Sequence, residues 1–232
     1  MRLSYLQQGE GKDIVFLHGY LASKESFAPQ IAYFSQKYRV TALDFPGFGG
    51  AEALPAAWSV GDYADWTLRA LAELGVSFPH VIAHSFGGRV AVKCLSRGGV
   101  FDRAVLVGCA GIVPPRTFSY HVRVKTYRFV KKIAPKFAEK KFGSEEYRQL
   151  SPLMRESYKK IVNEDLRGDA KQIARPVLFV NGTRDCAVPP ASVKVYLSWV
   201  PESKVFWMED CGHFANLENP LAFNAAAEEF LQ

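Results

Sequence analysis

The stretch Val81-Ile82-Ala83-His84-Ser85-Phe86-Gly87-Gly88 decides how this chain is read. Val81–Ala83 is the short apolar run of a buried strand, and Phe86–Leu95 has the pattern of a helix. Ser85 therefore stands at a strand-to-helix turn. A turn that sharp pushes a serine into a sparsely populated backbone conformation. It lifts the hydroxyl off the sheet and turns the following N–H groups toward whatever the hydroxyl meets. Residues two before and two after it must be small, and Ala83 and Gly87 meet that demand. A small residue, any residue, serine, any residue and glycine arise together by chance in roughly one chain in six of this length. The position at a strand end, not the pattern alone, gives the stretch its weight.

Working outward, apolar strand-like runs alternate with amphipathic helix-like runs. Ile14–Leu17, Arg39–Leu43, Ala104–Val107, Val177–Val180 and Lys204–Met208 read as further strands. Ser26–Tyr38, Val60–Leu74, Ala191–Trp199 and Pro220–Leu231 read as helices, and Gly75 stops the second. Short apolar strands separated by helices predict an α/β fold, a mostly parallel central sheet covered by helices on both faces. No repeat or low-complexity tract interrupts the alternation.

Composition agrees. The 232 residues are 48% hydrophobic and 22% charged, with 18 Gly, 13 Pro and 4 Cys, which excludes disordered, collagen-like and small disulfide-scaffold chains. Cys94, Cys109, Cys186 and Cys211 show neither a C-x-x-C pair nor zinc spacing, so no metal or cofactor is expected. Cys186 and Cys211 flank candidate site residues and read as small buried packing residues. Four thiols in this length fit a reducing compartment. The first residues lack a signal-peptide pattern, and no stretch nears the ~20 apolar residues of a membrane span. A soluble, cytoplasmic protein is expected, with no nucleic-acid partner.

The net charge of +6 is uneven. Residues 112–170 hold 14 Lys/Arg and 7 Asp/Glu. This segment predicts a basic helical cap or lid, residues 112–170, inserted in a core formed by residues 1–111 and 171–232. Pro114-Pro115 opens it, and Val122, Thr126, Phe129, Val130, Ile133 and Phe137 form an apolar stripe that Pro135 ends or kinks. Further helix is expected over Glu145–Leu150 and Pro152–Val162. The basic surface is either a plain solvated face or an attractor for an anionic substrate, anionic lipid or another acidic partner. Peripheral membrane contact through the cap is the lipid version.

A serine hydroxyl needs a base, and the base needs an orienting carboxylate. His213, between the last strand and last helix, is the leading base. As one of five histidines it competes with the reading of an ordinary loop residue. His18 and His84 belong to turn motifs and are expected to bond locally. Asp185 follows the strand Val177–Val180 in Asn181-Gly182-Thr183-Arg184-Asp185, at a carboxyl end where parallel sheets place ligands. The same residue also suits an Asx-type turn. His18-Gly19-Tyr20 closes the first strong strand. The backbone N–H groups of Tyr20 and Phe86 are candidate oxyanion donors, each worth about 3 kcal/mol in such a role. Arg89 either supports an anionic substrate, pairs with a nearby acid or faces solvent.

Together these pieces resemble the α/β-hydrolase superfamily, of the serine carboxylesterase and lipase-like kind. The matching residues are His18-Gly19-Tyr20, Asp44-Phe45-Pro46-Gly47-Phe48-Gly49, Ala83 to Gly88, Asn181 to Asp185 and Gly212-His213. They run in order over nearly the whole chain, with an insertion where that family carries its cap. The resemblance implies Ser85 as nucleophile, His213 as base, Asp185 as acid, and Tyr20 and Phe86 as oxyanion donors. Ala83 stands where the elbow usually has glycine, and Gly50-Ala51 where relatives often have serine. The short chain implies that one or two N-terminal strands of the usual eight are missing.

The activity this implies is hydrolysis of carboxylic esters with small to medium acyl groups through an acyl-enzyme. Phe118, Tyr120, Tyr127 and Phe129 are candidate lining residues. Two alternatives stand beside it. One is a thioesterase or carbon–carbon bond hydrolase or lyase whose anionic substrate is gripped by the basic cap. The other is a receptor-like binding protein on a hydrolase scaffold.

Overall fold

A computed structural model describes residues 2–113 and 150–232. Consecutive apolar residues such as Ile14–Leu17 cannot all face one side of a strand, so they demand cover on both faces of a sheet. The structure supplies it. Ile14, Phe16 and Ile82 pack with Phe27, Phe34 and Phe223 on one face. Val15, Leu17 and Ala83 pack with Tyr63, Phe86 and Tyr196 on the other.

Seven strands form one sheet among the described residues: β1 (Tyr5–Gln8), β2 (Lys12–Leu17), β3 (Tyr38–Leu43), β4 (His80–His84), β5 (Ala104–Val107), β6 (Val177–Gly182) and β7 (Ser203–Met208). Their order is β1-β3-β2-β4-β5-β6-β7. All neighbours are parallel except β1, which runs antiparallel to β3 at the edge. Among the described residues the helices are α1 (Ala28–Phe34), α2 (Val60–Glu73), α3 (Phe86–Leu95), α4 (Pro152–Asn163), α5 (Arg167–Ala170), α6 (Pro190–Trp199), α7 (Ala215–Glu218) and α8 (Pro220–Leu231). Local chemistry sets their starts. Ser59 and Asp62 form a reciprocal capping box on α2, and Gly75 at φ +65° follows its end.

Differences from the sequence prediction have local causes. Ser26–Tyr38 is not one helix: a 3₁₀ turn at Lys24–Phe27 leads into α1, and Tyr38 instead starts β3 opposite Lys12. Pro29 fits the first turn of α1, where its missing N–H costs nothing. β1 is absent from the prediction because three of its four residues are exposed and give no apolar run. Of the expected insertion, residues 114–149 lie outside the described residues, including Pro114-Pro115 and the apolar stripe from Val122 to Phe137. The described remainder includes α4, started by Ser151, whose hydroxyl accepts the Met154 N–H.

Candidate active site

Ser85 joins β4 to α3 with φ +49° and ψ −103°, a conformation rare for any residue but glycine. Its N–H donates to the Val107 carbonyl at 2.9 Å, which ties the turn to β5. The turn is tight against β2: a Cβ at Gly87 would lie 2.1 Å from the Leu17 carbonyl oxygen. Phe86 opens α3, so its N–H has no acceptor within the helix.

The loops after β6 and β7 bring Asp185 to His213. Asp185 Oδ2 accepts from His213 Nδ1 at 2.8 Å, and Oδ1 accepts the N–H groups of Ala187 and Val188, both at 2.8 Å. Asp185 is therefore an Asx-type turn residue and a histidine partner at once. Its carboxylate is sealed from solvent. Burial opposes its charge, but the His213 bond and the Val188 and Ala187 N–H groups outweigh that and hold its carboxyl below the ordinary value. Two glycines make the room, Gly182 inside the quoted Asn181–Asp185 stretch and Gly108 outside every quoted motif. A Cβ at Gly108 would lie 3.0 Å from His213 Nδ1, and one at Gly182 would lie 2.2 Å from the Cys211 carbonyl oxygen. His84 also acts at long range rather than locally: its Nε2–H donates to the His213 carbonyl at 2.9 Å. Burial, then the neighbouring His213, pushes His84 down to about 4, so it is a neutral support for that loop.

The loop after β2 is set by His18. The Phe45 N–H donates to its Nε2 at 3.0 Å, which leaves the proton on Nδ1. Nδ1–H then donates to the Gly19 carbonyl at 2.7 Å. In a planar trans peptide the next N–H points opposite to that carbonyl, so this bond fixes the direction of the Tyr20 N–H. Burial pushes His18 down to about 4 and keeps it neutral. The loop lies beside the serine: a Cβ at Gly19 would lie 3.7 Å from the Ser85 Cβ. The same loop is anchored by Asp44, which accepts from Lys24 Nζ at 2.6 Å, Ser4 Oγ at 2.7 Å, and the N–H groups of Lys24 at 2.8 Å and Gly50 at 2.9 Å. Burial opposes this carboxylate, yet these donors hold it at about 2.

A cavity of about 610 Å³ opens over these groups, lined by Tyr20, Ser85, Phe86, Arg89 and His213. Its far wall is α4, through Tyr158, Ile161 and Val162. A neighbouring cleft of about 430 Å³ shares Leu21 and Leu150 with it. The structure thus puts His213 in contact with Asp185 and puts Ser85 on the wall that His213 also forms. Among the described residues no hydrogen bond joins the Ser85 hydroxyl to the imidazole, a contact that commonly tightens only with substrate. Arg89 lies buried in the wall rather than in solvent. Phe118, Tyr120, Tyr127 and Phe129 lie outside the described residues. Cys211 is buried as expected, but Cys186 is exposed, because it follows Asp185 at the outer side of the turn. Among the described residues no cluster of His, Cys, Asp or Glu has the makings of a metal site, and no helix is long and apolar enough to cross a membrane.

The sequence model of the alpha/beta hydrolase family matches residues 14–226. A stretch of 86 residues, 37% of this chain, is 37% identical to (E)-2-((N-methylformamido)methylene)succinate hydrolase of Acinetobacter baylyi, and that match spans 33% of the relative's length. Over its whole length the chain is 24% identical to the pimeloyl-[acyl-carrier protein] methyl ester esterase of Aeromonas hydrophila, covering 100% of both. Among solved structures, the enol-lactonase from Burkholderia xenovorans LB400 superimposes with a TM-score of 0.77 at 23% identity, covering 99% of this chain and 96% of that one.

Proposed function

The chain belongs to the alpha/beta hydrolase family, and we propose that it cleaves carboxylic esters of small to medium acyl groups with Ser85 as nucleophile. One observation carries the reading. A serine on a strained strand-to-helix turn shares a cavity with a histidine whose Nδ1 lies 2.8 Å from a sealed carboxylate.

The roles follow from the donor and acceptor geometry. Asp185 accepts the Nδ1 proton, which leaves His213 Nε2 free to accept the Ser85 proton. The serine oxygen attacks the ester carbonyl, and the carbonyl oxygen becomes an oxyanion facing the Tyr20 and Phe86 N–H groups. As the C–O bond breaks, the protonated imidazole gives its proton to the departing alcohol. Water then loses a proton to His213 and attacks the acyl-enzyme, releasing the acid and restoring the serine. A cavity of about 610 Å³ with apolar residues of α4 in its wall accommodates medium acyl chains. Residues 112–170 act as the cap that carries this wall. The four unpaired cysteines support the cytoplasm as its compartment. The Aeromonas relative is named for hydrolysis of a methyl ester, which agrees with this reading.

A panel of p-nitrophenyl esters from acetate to laurate, run on the protein and on Ser85→Ala, tests it. The expected result is a preferred chain length and a loss of at least ~10³-fold in kcat/KM for the variant. Activity of Ser85→Ala within a few fold of the unaltered protein contradicts it.

A further inference from the structure

Arg89 lies one helical turn beyond Ser85, its N–H donating to the Ser85 carbonyl at 3.2 Å. Its side chain reaches the wall of the cavity that Ser85 and His213 line, and the residue is only 9% exposed. Among the described residues two hydrogen bonds hold the guanidinium, and both come from Nη1, to the carbonyls of Ile161 at 2.9 Å and Glu164 at 3.0 Å. These acceptors cap the end of α4 and carry only the partial negative charge of a helix C-terminus. The Glu164 carboxylate is occupied elsewhere, by Lys93 at 2.9 Å and the Val60 N–H at 3.3 Å. Asp169 is likewise held by Lys93, at 2.8 Å. Among the described residues no carboxylate forms an ion pair with Arg89.

The remaining donors are Nε and Nη2. Neither has an acceptor among the described residues, and neither is among the sealed polar atoms that lack one. They are not sealed off, and the cavity is the space that Arg89 lines. Nε and Nη2 share one edge of the guanidinium, a parallel pair of donors matched to the two oxygens of a carboxylate. Arg39 shows that match in this chain: its Nε and Nη2 bind Asp13 Oδ1 and Oδ2 at 2.6 and 2.7 Å. A guanidinium stays charged at any pH of interest, and a buried one without a counter-ion is costly. A bound anion offsets that cost.

We propose that the Nε/Nη2 edge of Arg89 is a carboxylate-binding subsite of the reaction cavity, so that the substrate is an ester carrying a second, ionised carboxyl group. The inference rests on the ester-hydrolase reading above and names its substrate class. The competing role is purely mechanical: Nη1 clamps α4 to α3, and the free edge does nothing.

The test pairs substrates of equal length and different charge. Mono-p-nitrophenyl glutarate and adipate are compared with p-nitrophenyl pentanoate and hexanoate, on the protein, Arg89→Met and Arg89→Lys. In at least one pair the unaltered protein is expected to favour the charged ester by roughly 10- to 100-fold in kcat/KM, the range of a charge-assisted pair. Arg89→Met is expected to bring that ratio to near one, and Arg89→Lys to retain part of it. Equal kcat/KM for both members of both pairs overturns the proposal. So does an Arg89→Met loss that is the same for charged and neutral esters, which marks a clamp. If Arg89→Met fails to fold, the unaltered protein and Arg89→Lys decide. If no ester is turned over, the hydrolase reading has failed separately. Calorimetric binding of glutarate and adipate then decides the subsite: saturable binding that Arg89→Lys weakens upholds it, and no binding overturns it.

Discussion

Replacing Asp185 by asparagine tests whether one oxygen of that side chain is worth more than its shape. Oδ1 accepts two backbone N–H groups, from Ala187 and Val188, while among the described residues Oδ2 accepts only His213 Nδ1. An asparagine has one acceptor end and one donor end. Turning its NH₂ toward Ala187 and Val188 would leave two N–H groups facing a donor, at about 1–3 kcal/mol each. The amide oxygen therefore stays on that side, and the NH₂ faces His213. Nδ1 must then accept, and the ring proton moves to Nε2, the nitrogen that has to take the serine proton. We expect kcat/KM to fall by about 10³- to 10⁴-fold, or about 4–5.5 kcal/mol at 1.36 kcal/mol per decade. The fold should survive, because the Oδ1 bonds are kept. Rapid-quench kinetics on the preferred p-nitrophenyl ester measures the loss, and ¹⁵N spectra of the imidazole report the tautomer. A loss under about tenfold, or a variant still carrying its proton on Nδ1, would show that the carboxylate does not set the tautomer that catalysis needs.

Asp44→Asn removes a carboxylate held at about 2 against an ordinary 3.8. A depressed carboxylate stabilises the fold above its unfolded pKa and loses that as pH falls through the folded one. The variant should be about 2 kcal/mol less stable near neutrality. In urea titrations that gap should close between about pH 4 and pH 2, and a gap constant down to pH 2 would count against the network. His18→Leu removes the bond that orients the Gly19–Tyr20 peptide, and should lower kcat by at least about tenfold with a smaller change in KM; steady-state kinetics showing a KM effect alone would contradict this. Gly87→Ala places a methyl carbon 2.1 Å from a backbone oxygen. We expect more than about 3 kcal/mol of destabilisation or no folded protein, and a melting temperature matching the unaltered protein would be the contrary result.

How much was legible in the sequence depended on the range over which each feature is decided. α3, β5 and α8 match their expected ends because one apolar pattern and a local turn define each. The nearness of Ser85 and Asp185 to His213 was legible, because each closes a strand or sits in its following loop at the carboxyl end of the parallel strands. Features set by contacts between distant residues were not. Ser4, Lys24 and Asp44 meet only after β1 folds beside β3, and β1 itself is too exposed to give an apolar signal. The His84 bond to the His213 carbonyl spans 129 residues. Tyr158 lines the cavity only because α4 docks there, with Ser157 Oγ bonded to the Trp58 carbonyl at 2.7 Å and Tyr20 Oη to the Met154 carbonyl at 3.2 Å. The available hint was Ile161, Val162 and Tyr158 at helical spacing, which periodicity assigns to packing without saying against what. Gly108 carried a signal of its own, a glycine immediately after a core strand, but only its φ of +50° beside the imidazole gives it meaning.

The proposed mechanism makes Ser85 a nucleophile because His213 takes its proton. Intact-mass and peptide-mapping analysis of the protein after reaction with a fluorophosphonate measures this directly. We expect one adduct per chain, on the peptide containing Ser85, forming at least about 10³-fold more slowly in His213→Ala. Labelling of a different residue, or an undiminished rate in His213→Ala, would contradict it.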